Sequence, residues 1–348
     1  MRKPFNSGRR VFGRESGQAL AFCVLVLMTL LGMCALVIDV GSWYATDRRA
    51  QAAADAAALA AAARLPEAPS TATLNGEGSS RNYSNFAEGT IGYAISSTDG
   101  FGGIPDIVTA TAETDATVIF AKLFGIDSVP IRAAAEARLQ TYTSWGGNTM
   151  PLAITDETLV YNLPLNVKVE DPKDVGPGNF GALDLVKSPG CSSSSGASNY
   201  LEMISGASRS CMLTVGGPVG AKTGNMAGPT EKGLEDRGVV NPFDPYSIVV
   251  SDGPGRWKIT DLEHPNVGVI PIVDRFYNGS GQDLEVVGFA WFVITAYGKT
   301  AGKAWVMGIF VRAPGPSMHY CPTPGHDLAP CETGDYTPNG ITAIRLTG

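Results

Sequence analysis

Residues 17–66 read GQALAFCVLVLMTLLGMCALVIDVGSWYATDRRAQAAADAAALAAAARLP, an apolar run that passes without a break into almost pure alanine. From Ala19 to Ile38 there are 20 consecutive residues without a charge. At about 1.5 Å per residue such a helix matches the roughly 30 Å hydrocarbon core of a bilayer. Arg2, Lys3, Arg9, Arg10 and Arg14 precede the run against Glu15, whereas Arg48 and Arg49 after it are offset by Asp39, Asp47 and Asp55. The positive-inside rule therefore keeps the N-terminus in the cytoplasm. Trp43 and Tyr44 fall just past the run, where amphipathic rings favour the headgroup layer. A cleaved secretory signal is the alternative, but its apolar region is usually about 7 to 15 residues. Either reading exports the chain beyond residue 40. A buried helix in a soluble protein would leave the basic leader and aromatic edge as coincidence.

Alanine is the best intrinsic helix former, and residues 45–64 contain neither Gly nor Pro, so the helix should continue outward until Pro66. Asp47, Gln51 and Asp55 recur every four residues and define a polar stripe, with methyl groups on the remaining faces. Such a rod buries little surface alone. It serves either to pack closely within an assembly or as a stalk that holds a domain off the membrane. Asp39 stands at the end of the apolar run, where a carboxylate must reach the interface or find a partner. Its closeness to Tyr44 favours plain interfacial solvation.

The segments ESGQALAFCVLVLMTLLGMCALVIDVG and RRAQAAADAAALAAAARL resemble the N-terminal segment of TadE/TadG-like proteins of the Flp, or tight-adherence, pilus assembly system. The matching features are the Gly17-Gln18-Ala19 entry, the Ile38-Asp39-Val40-Gly41 exit, Gln51, and the Ala54-to-Ala60 run with Asp55. The resemblance implies a membrane-anchored accessory or minor pilin-like component of pilus assembly. Its expected partners are other Tad/Flp assembly proteins and the lipid bilayer, with no cofactor and no catalysis. It places the chain in the bacterial cytoplasmic (inner) membrane, single-pass, with a large C-terminal extracytoplasmic domain. Family members processed like pilins carry Glu five residues after the Gly that precedes the cleavage point. Here Phe22 stands at that distance from Gly17, which argues against prepilin processing and against a bulk filament subunit.

The expected fold class is α+β. A basic leader (1–18), a transmembrane helix (19–40) and an Ala-rich helix (41–65) lead through a Pro-, Ser- and Gly-containing linker (66–80). Beyond it come a small α/β unit (81–144) and a β-rich ectodomain (145–348). RNYSNFAEGTIGYAISSTDG reads as a helix ending near Gly100. DIVTATAETDATVIFAKLFGIDSVPIRAAAEARLQT alternates like a strand, turns helical at ATVIFAKLFG and alternates again. This is similar to the segment after the anchor in many TadG-like proteins, where a helix ending in LFG lies between two strands. SIVVSD, NVGVIPIVDRF, LEVVGFAWFVITAYG and AWVMGIFVRA are short apolar runs bounded by turn signals, which favours β structure. The third is too interrupted for a second membrane span and reads as a core strand.

Residues 1–64 hold 8 Lys or Arg against 4 Asp or Glu, so the chain's net charge of −7 leaves −11 on the remainder. An acidic exported portion is a poor binder of nucleic acid, whose phosphates need a basic surface. Cys23 and Cys34 lie in the apolar run, whereas Cys191, Cys211, Cys321 and Cys331 are an even set on the exported side, where disulfides persist. Sequence proximity pairs Cys191 with Cys211 and Cys321 with Cys331, though four cysteines permit three pairings. In the chain-entropy model each such bridge stabilises by about 3 kcal/mol. His319, Cys321, His326 and Cys331 could together hold zinc, but their spacing matches no standard signature and exported cysteines oxidise.

Signals for catalysis are sparse. GGPVGAKTG (216–224) approaches a phosphate-binding loop but has Ala221 where Gly must precede the Lys, so a surface turn is expected and no nucleotide. No G-x-S-x-G elbow or H-E-x-x-H helix occurs, and His264, His319 and His326 are the only histidines. The acid pairs Asp156–Glu157 and Glu235–Asp236 are sequence neighbours whose side chains point apart. GPGNFGALDL (176–185) reads as a tight structural loop with Phe180 and Leu183 as core anchors. The alternatives to pilus assembly are a membrane-anchored surface adhesin and an exported carbohydrate-active hydrolase with converging carboxylates.

Overall fold

The computed structural model describes residues 16–65, 72, 76, 78–79, 89–97, 104–168, 179–185, 196–206, 212–252, 257–276, 283–315, 320–322, 328–337 and 340–347. The helices are α1 (Ser16–Ala62), α2 (Ala197–Ile204) and α3 (Ala227–Asp236). The strands are β1 (Thr90–Ser96), β2 (Ile107–Thr117), β3 (Ser128–Tyr142), β4 (Ser144–Gly146), β5 (Ile154–Thr155), β6 (Pro164–Lys168), β7 (Asn179–Asp184), β8 (Met212–Thr214), β9 (Pro218–Thr223), β10 (Val249–Ser251), β11 (Trp257–Ile259), β12 (Val267–Val273), β13 (Asp283–Thr300), β14 (Lys303–Val311), β15 (Tyr320–Pro322), β16 (Leu328–Pro330), β17 (Thr333–Gly334) and β18 (Thr342–Leu346). One long apolar helix followed by mostly strands is the expected α+β class. The chain divides into two compact units. The first takes Met1–Ala57, Glu77–Gly92 and Ala110–Ala135; the second takes Ala58–Gly76, Tyr93–Thr109 and Glu136–Gly348.

In the first unit α1 changes character at Asp39. Every large apolar side chain described from Leu20 to Val40 is exposed, and the window of highest mean hydropathy, 2.8, is 0 % buried within the protein. Beyond that point Ala50, Ala53, Ala54 and Ala57 are wholly buried. Their spacing of three and four residues is one helical face. The strand segments of the same unit carry Ala110, Ala112 and Ala116 on β2 and Ala133 and Ala135 on β3, all buried. Small residues allow close approach of backbones, and the Gln51 side-chain amide reaches the Ala134 carbonyl at 3.3 Å. The alanine face thus finds its cover inside its own chain.

In the second unit the order β5-β12-β13-β14-β6 forms the main sheet, with β9 on β13 and β7 on β9. β12, VGVIPIV, is buried along its whole length because the sheet is covered on both faces. Val267, Val269 and Val273 enter one core while Ile270 and Ile272 enter the other. β13 repeats the period of two: Phe289, Trp291 and Val293 face the first core, Ala290, Phe292 and Ile294 the second. α2 and α3 cover the second core with Tyr200, Ile204 and Leu234. Trp145 fills the first, meeting Trp291 edge-on at 5.3 Å and Tyr142 edge-on at 5.3 Å. β18 pairs antiparallel with β3 from Thr342↔Thr141 to Leu346↔Ala137.

Four local expectations are corrected. The helix expected near Gly100 is instead β1 over Thr90–Ser96, whose alternating exposed and half-buried residues follow the period of a strand. The helical ATVIFAKLFG contracts to one 3-10 turn, Ala121–Phe124, ended by Gly125 at φ +80°. GGPVGAKTG turns only at its first glycines and then becomes β9, where the Lys222 ammonium pairs with the Asp184 carboxylate at 3.0 Å. GPGNFGALDL supplies β7 rather than a loop, and Leu183 is buried in the core as expected. The side chain of Phe180, Cys191, Cys211, the side chain of Cys321, His319, His326 and most of the linker lie outside the described residues; Cys331 is buried in the first core.

Lys168 is fully buried at the end of β6 and donates to the Asn225 carbonyl. Burial pushes its ammonium down to about 8 from an ordinary 10.5. At pH 7 both the folded and the unfolded chain hold this proton, and the folded state bears the cost of the buried charge. As pH rises through about 8 the folded lysine loses its proton first, so stability should increase, by roughly 2 kcal/mol near pH 10. Past pH 10 the trend reverses, because burial holds Tyr142, Tyr161 and Tyr200 above their ordinary 10.0 and the unfolded tyrosines ionise first. Urea midpoints of the full-length protein across pH 7 to 10 test this. Lys168→Met should flatten the profile and raise the midpoint at pH 7; a flat wild-type profile would refute the argument.

Candidate functional site

The residues of α1 that carry the sequence signature lie at the join between its exposed and covered parts. Asp39 is 4 % exposed. Its Oδ1 accepts from the amides of Ile119 (2.8 Å) and Phe120 (3.2 Å), and its Oδ2 from Phe120 (3.1 Å) and Ala121 (2.7 Å). These three amides begin the 3-10 turn, whose first N–H groups have no partner within the turn itself. A carboxylate there satisfies them and meets the positive end of the peptide dipoles. Asp39 therefore caps a turn 80 residues away in sequence. Interfacial solvation, the expectation for Asp39, gives way to a protein contact.

Two further side chains, at opposite edges of the buried alanine face, continue the contact. Ser42 donates to the Thr117 carbonyl at 3.1 Å, at the end of β2. Gln51 donates to Asp55 at 2.8 Å as well as to Ala134. Passing from Gln51 through Ser42 to Asp39, the partners move from β3 and β2 toward the turn that joins them. The tip of the β2–β3 hairpin is thus directed toward the apolar part of α1. Gly41 is exposed and a Cβ there would meet nothing within 4 Å. Gly17 and Gln18 are in the first turn of α1, and the side chain of Gln18 lies outside the described residues.

This face coincides with a known family signature. Residues 17–64 match the model of the putative Flp pilus-assembly TadE/G-like family. No curated protein and no solved structure matches the chain. The TadE/G-like segment covers α1 almost end to end, and the residues it places at the join are those that hold the 119–121 turn. The partners of that turn lie beyond the matched segment, so nothing in the TadE/G-like residues alone points to them. The available signal was the carboxylate at the end of an apolar run, together with a second apolar stretch, VIFAKLF, further on.

The second unit holds a pocket of about 490 Å³ lined in part by Thr155, Glu157, Thr158, Asn166, Arg275 and Phe276. Among the described lining residues Glu157 is the one acid. Glu235 and Asp236 end α3, where Asp236 bonds Lys232 at 3.0 Å in an exposed pair. Among the described residues no group of His, Cys, Asp and Glu is arranged to hold a metal.

Proposed function

We propose that this chain is a membrane-anchored accessory, minor pilin-like component of Flp (Tad) pilus assembly that works through protein–protein contacts. The observation that carries the reading is the coincidence of the family match with a helix whose first part is apolar and exposed and whose second part is covered by its own chain. An exposed apolar helix of this length suits a bilayer, and the basic leader orients it with the N-terminus inside. The large C-terminal portion is then extracytoplasmic, where contacts with other assembly proteins take place. Phe22 at the position of the pilin-type Glu supports an assembly component that is not a bulk subunit. Because the alanine stripe is already used within the chain, partner contacts fall on other surfaces.

The test is the amount of Flp pilin in the sheared surface fraction of the native bacterium with and without this gene. Loss of surface pilin, restored by an intact copy, is the expected result. Unchanged surface pilin would move the weight to the adhesin or hydrolase alternatives.

A further inference from the structure

We propose that the tip of the β2–β3 hairpin, residues 119–126, is a second membrane contact that inserts into the headgroup–acyl boundary beside α1. The inference rests on the anchor reading of α1. Ile119, Leu123, Phe124 and Ile126 are 59 %, 81 %, 84 % and 45 % exposed. Four large apolar side chains in eight residues, with Lys122 among them, form an apolar patch with no cover among the described residues. In water such a patch is a liability, and its occupant is identified by where it stands.

Its height is fixed by Asp39. The amides of 119–121 lie within 2.7–3.2 Å of that carboxylate, and Asp39 directly follows the last residue of the apolar run. Trp43 and Tyr44, the aromatic edge, are about 6 Å further out along the helix at about 1.5 Å per residue. The tip extends from Asp39 away from Gln51 and Ser42, that is, toward the lipid. On the side of α1 that carries Asp39, Leu36, three residues earlier, is also exposed, at 63 %. Lys122, on the same turn, suits the phosphate layer, to which a long basic side chain can reach. An apolar surface with a basic residue, contiguous with a lipid-facing helix, fits a bilayer surface rather than a soluble partner.

Photocrosslinking of the full-length protein in native membranes tests this. The photoreactive residue p-benzoylphenylalanine replaces Phe124 in one variant, Leu27 of the apolar run in a second, and the exposed Tyr246 of the second unit in a third. The expected result is lipid adduct at positions 27 and 124 and none at 246. Lipid adduct at 27 without any at 124 overturns the inference and leaves the anchor in place. An adduct at 124 of twice the chain mass, or with another protein, also overturns it by showing that protein covers the tip. Absence of lipid adduct at 27 removes the anchor reading and this inference with it.

Discussion

Asp39→Asn should strip hydrogen-exchange protection from the amides of Ile119, Phe120 and Ala121 by about two orders of magnitude, while leaving the second unit unchanged. Hydrogen bonds to a charged group contribute about 1.5–3 kcal/mol each, and a net loss of about 3 kcal/mol is a factor of about 100. Asn retains one acceptor oxygen but turns an NH2 group toward amides that are themselves donors, so part of the cap becomes a donor–donor clash. Asp39→Glu keeps the charge and should lose less. Ser42→Ala, which removes one bond to Thr117, should cost about 1 kcal/mol and serves as the graded control. Exchange measured by mass spectrometry on the full-length protein in nanodiscs reads all three. Equal protection in Asp39→Asn and wild type would mean that the hairpin holds its own turn and the carboxylate is incidental.

The largest single-residue loss of stability is expected at Gly181. Its φ of +77° is strained for any side chain, and an added Cβ would stand 1.9 Å from the Val167 carbonyl oxygen and 3.0 Å from its carbon. Neither the carbonyl nor the glycine can yield alone, because β6 is paired to β14 while β7 makes its bulge against β9 between Asn179 and Leu183. Gly181→Ala should therefore cost at least about 4 kcal/mol. Gly302 supplies the comparison, with φ +79° but nothing within 4 Å of its missing Cβ. Gly302→Ala should cost only the left-handed backbone term of about 1–2 kcal/mol. Urea unfolding followed by tryptophan fluorescence, with Trp145 and Trp291 in the core as reporters, separates the two. Equal midpoints for the two variants would contradict the close approach at Val167.

The long apolar helix α1 and the core strands were legible because their signals are local. An uncharged run, an alanine tract and a terminal proline define α1, and the apolar runs 267–273, 283–300 and 303–311 define β12, β13 and β14. Of the three only β12 is buried along its whole length, as an unbroken apolar run covered on both faces must be, whereas β13 and β14 carry exposed residues toward one end. The partner of Asp39 was not legible, because burial of that carboxylate depends on a turn brought to it by two strands far away in sequence. The assignment of β1 failed for a related reason: TIGYAIS gains its strand character from pairing with β2, whereas its flanking residues carry a helical composition. The pairing of Lys222, in a string that reads as a surface turn, was likewise hidden, because Asp184 reaches it only through β7.

From Ser42 to Ala57, α1 contains neither glycine nor proline, and Ser42 and Gln51 bond to the two strands of the hairpin at Thr117 and Ala134. Within the first unit this stretch of helix and the hairpin are consequently tied at both strands and, through Asp39, at the turn. Any rotation of α1 about its own axis sweeps the Leu123–Phe124 tip through the same angle, so the azimuth of the helix in its surroundings fixes which way the hairpin points.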